Sequence, residues 1–220
     1  APAQVTKTLT GLILAGHRIT DHPCRIWFVF PTDILAKEFK RDRFDPIVES
    51  TPALRRVIPK QRAREGGHTK TFVRFAGGSV KFVGANVPWA LRSTPVKVMI
   101  EEEYDALSRS LKGEGTASGI AEARTRRVRR AKIYRNGTPT VAGVSAIANA
   151  VADSEAGFEF QVPCPHCAAL QVLAWAQVRY AKPAKQERGT LDLVPDVTVA
   201  CLACGVAIEE RHKSRMKAAG

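Results

Sequence analysis

Residues 96–106 of the chain read VKVMIEEEYDA, an apolar, β-branched run that leads directly into three consecutive glutamates. One interpretation is a strand that leaves the core for a solvated turn, because short apolar runs are common and acidic residues often follow them. The other is a nucleotide site, in which carboxylates at the carboxyl end of a central parallel strand hold Mg²⁺ and orient a nucleophile. Other segments of the sequence are needed to distinguish the solvated turn from the nucleotide site.

The composition is that of a folded chain with a basic surface. Its 220 residues, 45% of them hydrophobic, suffice for one α/β domain and a small module. Lys and Arg number 34 against 21 Asp and Glu, and the formal charge of +13 favours a polyanionic partner such as nucleic acid. The apolar stretches near residues 9–14 and 26–30 are far shorter than the roughly 20 residues that cross a bilayer, and no secretion signal opens the chain. We therefore expect no membrane partner.

The pattern of apolar runs predicts two domains, residues 1–157 and 158–220. In the first domain we predict strands at residues 25–30, 71–75, 79–83, 97–101 and 131–136. We predict helices there at residues 8–19, 32–44 and 119–130. This alternation is typical of an α/β fold with a mostly parallel sheet and flanking helices. The basic segment 59–69 predicts an exposed loop, and the second domain shows paired cysteines, short β-like runs and a polar connector at residues 181–190.

A phosphate-binding loop is the second element that a nucleotide site needs. The chain opens with APAQVTKTLTGLILAGHRI, in which Lys7 and Thr8 immediately precede an apolar helix. In such a loop the lysine neutralises the β- and γ-phosphates, the hydroxyl binds Mg²⁺ and the helix amino terminus supplies N–H groups. Taken alone, a Lys-Thr pair is more often a solvated helix cap. Thr6 stands where glycine is usual, and we expect the chain to start inside the loop, without the strand that feeds it.

A third segment, RNGTPTVAG at residues 135–143, follows another predicted strand. It would form a rigid turn close to the γ-phosphate position if its strand lies beside the acidic strand. By itself it is only a turn.

In this order, these segments resemble the ATPase domain of phage terminase large subunits, in the GpA-type branch found in lambda-like phages. The resemblance covers nearly the whole chain and rests on AQVTKT (3–8), FPTDILAKEFKRDRFDPIVESTPAL (30–54), GGSVKFVGANVPWALRS (77–93), VMIEEEYDA (98–106) and GTPT (137–140). It implies a P-loop fold of the ASCE or RecA-like kind. It further implies a motor that hydrolyses ATP to translocate phage DNA into a procapsid, with a nuclease domain farther along that cuts the DNA.

The resemblance also implies roles for individual residues. The ATP-binding loop would comprise Gln4, Val5, Thr6, Lys7 and Thr8. Aligning Asp105 and Ala106 with the family's DA places Glu102 at the acid that holds Mg²⁺ together with Thr8, and Glu103 at the carboxylate that activates water, with Thr138 in the coupling motif. A shift by one residue would assign Glu101 and Glu102 instead. Glu102 in place of the usual aspartate and Thr6 in place of glycine are departures that could weaken hydrolysis.

The second domain carries two CxxC pairs. Four thiolates in this arrangement suit a tetrahedral Zn²⁺ in a zinc ribbon, and the ligands would be Cys164, Cys167, Cys201 and Cys204. His166 could compete as a ligand, but four thiolates already complete the shell. Cys24 is expected to be a lone core or edge residue. The resemblance extends to this module, because many GpA-type chains carry such a ribbon between motor and nuclease.

Two further features have open interpretations. The run RTRRVRR at residues 124–130 either contacts DNA phosphates, with salt-sensitive affinity, or forms a solvated helix face. Arg92 is either a γ-phosphate sensor or a packing arginine.

The resemblance implies double-stranded DNA, a terminase small subunit, and the portal of a procapsid as partners of a homo-oligomeric motor in the cytoplasm of the host bacterium. Two alternatives remain open. One is a zinc-ribbon DNA-binding fragment with an inert ATPase half, favoured by Thr6 and the incomplete phosphate loop. The other is a cellular, helicase-like DNA translocase, which would require a second RecA-like lobe.

Overall fold

The computed structural model describes residues 6–58, 68–86, 88–92, 94–180 and 197–219. The chain divides into two compact units, with the boundary between Ser154 and Glu155. No helix in these described ranges is both long enough and apolar enough to cross a membrane.

The first unit alternates helices and strands along the chain. Its helices are α1 (Lys7–Thr20), α2 (Asp33–Phe39), α3 (Asp45–Ser50), α4 (Pro52–Val57), α5 (Ala117–Glu122) and α6 (Ala146–Ala152). Its strands are β1 (Arg25–Phe30), β2 (His68–Thr69), β3 (Phe72–Phe75), β4 (Gly78–Gly84), β5 (Val98–Glu101) and β6 (Lys132–Arg135). A π-helical turn, Lys40–Phe44, joins α2 to α3.

These strands form one sheet in the order β2-β3-β4-β1-β5-β6. The central strands β4, β1, β5 and β6 run parallel, and β2 and β3 extend the sheet as antiparallel strands. Every residue of β1 except Arg25 is buried, as expected for a strand covered on both faces. The predicted α/β fold with a mostly parallel sheet is confirmed.

Two apolar clusters cover the two faces of the sheet. On one face α1 packs through Leu12, Ala15 and Ile19 against β1, and Phe28 stacks on Phe82 with ring centroids 5.3 Å apart. On the other face the largest side chains come from β1, β5 and the connections around them, and they are Trp27, Val29, Leu91, Met99, Leu107 and Leu111. Burying these aromatic and aliphatic groups on both faces supplies the main stabilisation of the unit.

The predicted helix at residues 32–44 ends differently in the structure. Thr32 caps α2 by accepting a hydrogen bond from the Leu35 N–H at 3.3 Å, and the helical path continues through the π turn and α3. The hydrogen-bond register changes just before Pro46, which has no N–H to donate. The buried Lys40 bridges the turn by donating to both carboxylate oxygens of Asp45 at 2.9 Å.

The predicted helix at residues 119–130 is wrong beyond its first turn. Helix α5 ends at Glu122, and the basic run that follows lies in turns. The Val96 N–H donates to the Arg124 carbonyl at 3.1 Å, and the buried Thr125 hydroxyl donates to the Glu122 carbonyl at 2.8 Å. Both bonds occupy carbonyls that a continuing helix would need. The run is therefore not a helix face.

The second unit has short strands and one terminal helix. Strands β7 (Val162–Pro163) and β8 (Leu170–Gln171) pair as a hairpin, and β11 (Ala207–Ile208), β10 (Thr198–Ala200) and β9 (Val178–Arg179) form an antiparallel sheet. Helix α7 (Lys213–Ala218) places Met216 in a small core with Val162, Ile208 and two cysteines. Most of the basic loop at residues 59–69 and the connector at residues 181–190 lie outside the described residues.

Candidate nucleotide site and metal centre

The predicted phosphate loop enters helix α1 through a left-handed residue. Thr6 has φ 56° and ψ 12°, and its carbonyl accepts the Thr10 N–H at 2.9 Å. This backbone region is open to glycine but disfavours a β-branched side chain. The chain thus adopts a glycine-like conformation at Thr6 at the expense of local strain. Gln4 and Val5, the other predicted loop residues before Lys7, lie outside the described residues.

Three contacts bring the loop to the carboxyl edge of the parallel sheet. The Thr8 hydroxyl donates to Glu102 Oε2 at 3.4 Å, and the Lys7 ammonium donates to Thr138 Oγ1 at 2.7 Å. The Tyr134 hydroxyl donates to the Lys7 carbonyl at 3.0 Å. Glu102 directly follows β5, and Tyr134 belongs to the adjacent strand β6. Segments separated by about half of the chain therefore meet at one point.

The three glutamates of the acidic run have different surroundings. Glu101, at 0% exposure, accepts a hydrogen bond from Arg135 Nε at 2.7 Å, and Arg135 also pairs with Glu122. Burial raises the pKa of Glu101, and the nearby Ser118 and Arg135 oppose that shift. Because side chains alternate along a strand, Glu102 points the opposite way, toward α1. Glu103 is exposed and has φ 51°.

Glu102 lies in a tight polar pocket beneath α1. Its side chain is 3% exposed, and burial raises its pKa, while Asn136, Thr8 and Lys7 oppose the shift. Gly11 permits this packing, because a Cβ at that position would stand 3.2 Å from Glu102 Oε1. Within the described part of the chain, Glu102 Oε1 and Asn136 Nδ2 are both buried without a hydrogen bond of normal geometry. One carboxylate oxygen is therefore available for a further ligand.

These oxygens form a donor set that fits a hard divalent cation. Mg²⁺ prefers carboxylate and hydroxyl oxygens and usually binds through only one or two protein carboxylates. Thr8 and Glu102 present a hydroxyl and a carboxylate side by side, and the unpartnered Oε1 adds a further acceptor.

Asp105 fastens the GTPT turn to the end of the acidic segment. Its Oδ2 accepts from the Thr140 N–H at 3.0 Å and the Thr140 hydroxyl at 2.8 Å, and its Oδ1 accepts from the Ile147 N–H at 2.7 Å. Desolvation raises the pKa of Asp105, but hydrogen bonds from Ile147, Ser145 and Thr140 outweigh it and hold the pKa well below its usual range. The turn that carries Thr138 is therefore fixed in place by a charged acceptor.

The sequence did not identify Asp105 or Asn136 as parts of this arrangement. Asp105 served only to align the acidic run, and Asn136 immediately precedes GTPT. In the structure the Tyr104 N–H donates to the Asn136 carbonyl at 2.9 Å, and Gly137 lies so close that a Cβ there would stand 3.1 Å from the Tyr104 nitrogen. Two signals in the sequence could have identified these residues. One is an acidic residue shortly after a strand, and the other is a glycine-containing turn after the next strand.

A cavity of about 790 Å³ opens beside the loop. One wall consists of the loop and the acidic run, and the opposite wall comes from β1 and the α2–α3 segment. Its lining includes Thr6, Lys7, Thr8, Glu102, Glu103, Phe30, Phe39, Arg43 and Ile47. Its size falls within the range of about 300–1,000 Å³ that is usual for small-molecule sites. Arg92 is exposed and pairs with Glu114.

The four cysteines of the second unit converge, as predicted. Their Sγ atoms all lie within 4.8 Å of one another. The Cys164–Cys204 and Cys167–Cys201 sulfur distances are 3.9 Å and 3.8 Å. Four sulfurs at about 2.3 Å from one zinc ion would be about 3.8 Å apart. The cluster therefore has the dimensions of a tetrahedral tetrathiolate site.

The two CxxC turns have the same local geometry. The His166 N–H points at Cys164 Sγ and the Ala203 N–H at Cys201 Sγ, each at 3.4 Å. Each turn ends in a left-handed residue, Ala168 with φ 62° and Gly205 with φ 72°. The His166 ring packs edge-on against His212, with ring centroids 5.5 Å apart.

The pKa values of Cys201 and Cys167 are shifted in opposite directions. N–H donation from Cys204 lowers the pKa of Cys201 to about 6. In Cys167 the Ala169 N–H also lowers the pKa, but the neighbouring sulfurs outweigh it and raise the value to about 12. Cys24 belongs to the first unit and is half-buried there, and burial raises its pKa.

Comparison with known proteins places this geometry in a family context. The family model described as "Phage terminase large subunit gpA, ATPase domain" matches residues 1–220. The chain is 28% identical over 171 residues to a terminase large subunit of Enterobacteria phage P21, covering 76% of this chain and 26% of that protein. It is 28% identical over 149 residues to the terminase large subunit of Escherichia phage lambda, covering 67% of this chain and 23% of that protein. The chain thus spans about a quarter of the length of these curated relatives.

Proposed function

This chain belongs to the family of gpA ATPase domains of phage terminase large subunits, and we propose that it binds and hydrolyses ATP to drive the translocation of phage DNA into a procapsid. The observation that carries the proposal is the contact between Thr8 and Glu102 at 3.4 Å. It joins the hydroxyl that follows the loop lysine to a carboxylate at the end of a central parallel strand. This pairing of groups is what a nucleotide site of the P-loop kind requires.

Lys7 and the first turn of α1 bind the phosphates in this proposal. Backbone N–H groups at a helix amino terminus favour anions, and Lys7 adds a full positive charge beside them. The Lys7 ammonium donates to Thr138 Oγ1, and a phosphate oxygen would be a stronger acceptor for the same group. Gln4, Val5 and Thr6 complete the loop. Thr8 and Glu102 would hold Mg²⁺, which, when bound, neutralises phosphate charge.

Glu103 is the proposed general base. It lines the same cavity as Lys7 and Thr8 and is exposed, so a water molecule has access to its carboxylate. Glu101 is occupied by Arg135 and lies on the other face of the sheet, which supports the assignment of Glu102 and Glu103 over that of Glu101 and Glu102. The carboxylate of Glu103 orients the attacking water and accepts its proton. Thr138, held by Lys7 and by the turn that Asp105 fixes, senses the phosphate end of the nucleotide.

The cysteine cluster is proposed to hold one structural Zn²⁺. The sulfur spacing and the matching N–H contacts in both turns support a site closed by four thiolates. In a unit whose core contains few apolar side chains, the metal would replace buried area as the source of stability.

The proposed partners follow from the family and its relatives. They are double-stranded DNA, a terminase small subunit, the portal of a procapsid, and further copies of the chain in a motor assembled in the host bacterial cytoplasm. A nuclease activity would belong to parts of a longer protein. Both relatives are phage proteins named as terminases, which favours this function over that of a cellular helicase-like translocase.

One observation favours a second function, a zinc-ribbon DNA-binding protein with an inert ATPase half. Thr6 carries a β-branched side chain at φ 56°, where strain could hold the loop in a poor geometry for phosphate. The two functions differ in whether the chain binds and turns over ATP.

The test is ATP binding and DNA-stimulated phosphate release by the chain with Mg²⁺ present. We expect Lys7→Ala to weaken ATP binding at least about 10-fold, the loss of one charge-assisted contact. The matched control, Lys37→Ala, removes an exposed lysine from α2 and should change neither quantity. Equal ATP binding by the wild type and Lys7→Ala would contradict the proposed site. DNA binding without any ATP turnover would favour the second function.

A further inference from the structure

A row of positive charge crosses the edge of the sheet opposite the nucleotide site. We call this the basic edge, and it consists of Arg74, Arg25, Lys97 and Lys132 together with the arginines of the following turn, Arg126, Arg127, Arg129 and Arg130. Arg25, Lys97 and Lys132 stand at the beginnings of parallel strands, whereas Glu102 follows the end of one. At about 3.3 Å per residue, Lys97 and Glu102 are about 16 Å apart along the strand.

Strand pairing sets Arg74, Arg25 and Lys97 side by side, whereas Lys132 pairs with Val98 and lies at the same edge on the other face of the sheet. Arg74 pairs with Ser79, and Ser79 pairs with Arg25. The Lys97 N–H donates to the Arg25 carbonyl at 3.1 Å, and the Lys132 N–H donates to the Lys97 carbonyl at 2.9 Å. From β3 to β5 this row covers three strand spacings of about 4.8 Å and is therefore about 14 Å long.

The row borders a groove on the same sheet. Arg25 and Arg74 together line a depression of about 540 Å³, with Trp27 and Phe72 in its wall. Both arginines are exposed. The strands therefore present these charges at an accessible surface.

The arginine turn is held by its backbone, which leaves its side chains available. The Arg124 carbonyl accepts the Val96 N–H at 3.1 Å, and the Arg129 carbonyl accepts a hydrogen bond from the Lys97 ammonium. Thr125 is buried beneath the turn. Four side chains, those of Arg126, Arg127, Arg129 and Arg130, are exposed and have no acidic partner within the described residues. Because the backbone of the turn is already fixed, binding an anion would order only the side chains.

The acidic groups near these elements are already engaged. Glu122, which precedes the turn, pairs with Arg135, and Glu114 pairs with Arg92. Asp21, after the end of α1, accepts from the Thr20 hydroxyl and lies 3.0 Å from His17. The charge of the basic edge is thus not cancelled by these neighbours.

We propose that the basic edge binds the phosphodiester backbone of duplex DNA. A duplex carries one negative charge per about 1.7 Å of its axis, so a row of this length faces several phosphates. Arginine forks bind phosphate oxygens in pairs, and such contacts position DNA without reading its sequence. This inference rests on the proposed function, in which the chain acts on DNA. It identifies the surface of the first unit that contacts the DNA. DNA and ATP would then occupy opposite ends of the same strands, β5 and β6.

The test is the affinity of the chain for a fluorescent 30-base-pair duplex between 50 and 200 mM KCl. The variant Arg126→Gln/Arg127→Gln/Arg129→Gln/Arg130→Gln keeps the backbone anchors of the turn. We expect its affinity at 50 mM KCl to fall at least about 10-fold and its salt slope to fall by about 3 to 4, since each lost phosphate contact removes about 0.9. The same four positions changed to lysine should retain most of the slope.

The matched control removes four exposed positive charges elsewhere in the first unit, through Lys37→Gln, Arg55→Gln, Arg56→Gln and Lys70→Gln. It has the same net charge as the turn variant and should lose less than about threefold in affinity, because it alters only the long-range field. If the turn variant and the control bind DNA equally, the basic edge is not the DNA surface, although DNA remains the partner. If the wild type does not bind the duplex at all, the proposed action on DNA fails as well.

Discussion

The Thr8 hydroxyl donates to Glu102 Oε2 across 3.4 Å, which ties the first turn of α1 to the carboxyl end of β5. The bond is longer than the usual O–H···O distance of about 2.5–3.0 Å and is therefore weak. Breaking this bond so that the Thr8 hydroxyl and Glu102 Oε2 can bind another ligand therefore costs little stability. The contact is thus suited to a site that exchanges an internal hydrogen bond for a bound cation.

The first prediction separates the two possible registers of the acidic run. Glu103→Gln should retain ATP binding and lose about 100-fold or more in DNA-stimulated hydrolysis, because an amide cannot accept the proton of the attacking water. Glu102→Gln should instead weaken the dependence of ATP binding on Mg²⁺. Nucleotide affinity and turnover are measured for both variants. A hydrolysis-dead, binding-competent Glu102→Gln protein beside a fully active Glu103→Gln protein would reverse the assignment.

Glu101→Gln serves as the control for the acidic run. Glu101 is buried against Arg135, so its replacement should lower the free energy of unfolding by about 1–3 kcal/mol. The ATP affinity of the folded fraction should remain unchanged. Loss of hydrolysis in Glu101→Gln without loss of stability would place it in the catalytic machinery.

The second prediction concerns the strained entrance of α1. Thr6→Gly should raise the free energy of unfolding by up to about 1 kcal/mol, because relief of the left-handed conformation outweighs the added freedom of the unfolded chain. It should also increase ATP affinity if strain holds the loop in a poor geometry. Thr6→Ala, which removes only the β-branch, should fall between the two proteins in chemical denaturation. A destabilised Thr6→Gly protein would show that the Thr6 side chain makes a net favourable contribution.

The central sheet was predictable because its signals are local. The run RIWFVF reads as a strand buried on both faces, and VMIE reads as its partner before the acids. Lys7, Thr8 and Glu102 could be proposed from the sequence because the residue types at a phosphate loop and an acidic strand are restricted by their chemistry, and because the segments resemble those of a known family. The two cysteine pairs could also be recognised from the sequence, because the CxxC spacing of metal ligands is a local pattern.

Other features depend on contacts between distant segments. The end of α5 at Glu122 is set by Val96 and Thr125, and nothing in the run RTRRVRR itself forbids a helix. The separation of Glu101 from Glu102 arises from strand alternation combined with the position of Arg135. Asp105 acquires its three hydrogen bonds only when the GTPT turn and α6 fold back over it.

The third prediction tests Asp105 through pH. Its pKa is lower in the folded protein than in the unfolded chain, so the charged form stabilises the fold. That contribution is complete above the unfolded pKa near 3.8 and is lost as the pH falls below it toward the folded value. Asp105→Asn should therefore be less stable than the wild type from about pH 5 to 8, with a difference that shrinks below about pH 4. The measurement is the thermal midpoint of both proteins across this range, and a constant difference down to pH 2 would exclude the charged acceptor as the cause.

The last prediction concerns the metal and the second unit. The reduced protein should contain one zinc ion, and a chelator should unfold the second unit while the first unit keeps its sheet, because each unit has its own apolar core. Cys201→Ser should lower the zinc content, whereas Cys24→Ser, which changes the cysteine of the first unit, should leave it at one zinc ion per chain.

Ala168→Gly should raise the stability of the zinc-loaded unit by up to about 1 kcal/mol, since glycine fits the left-handed position that Gly205 already occupies in the other turn. Metal analysis and hydrogen exchange resolved by unit provide the readouts. Full protection of residues 162–171 and 198–208 after complete removal of zinc would show that the thiol cluster is held by packing and that the metal is dispensable.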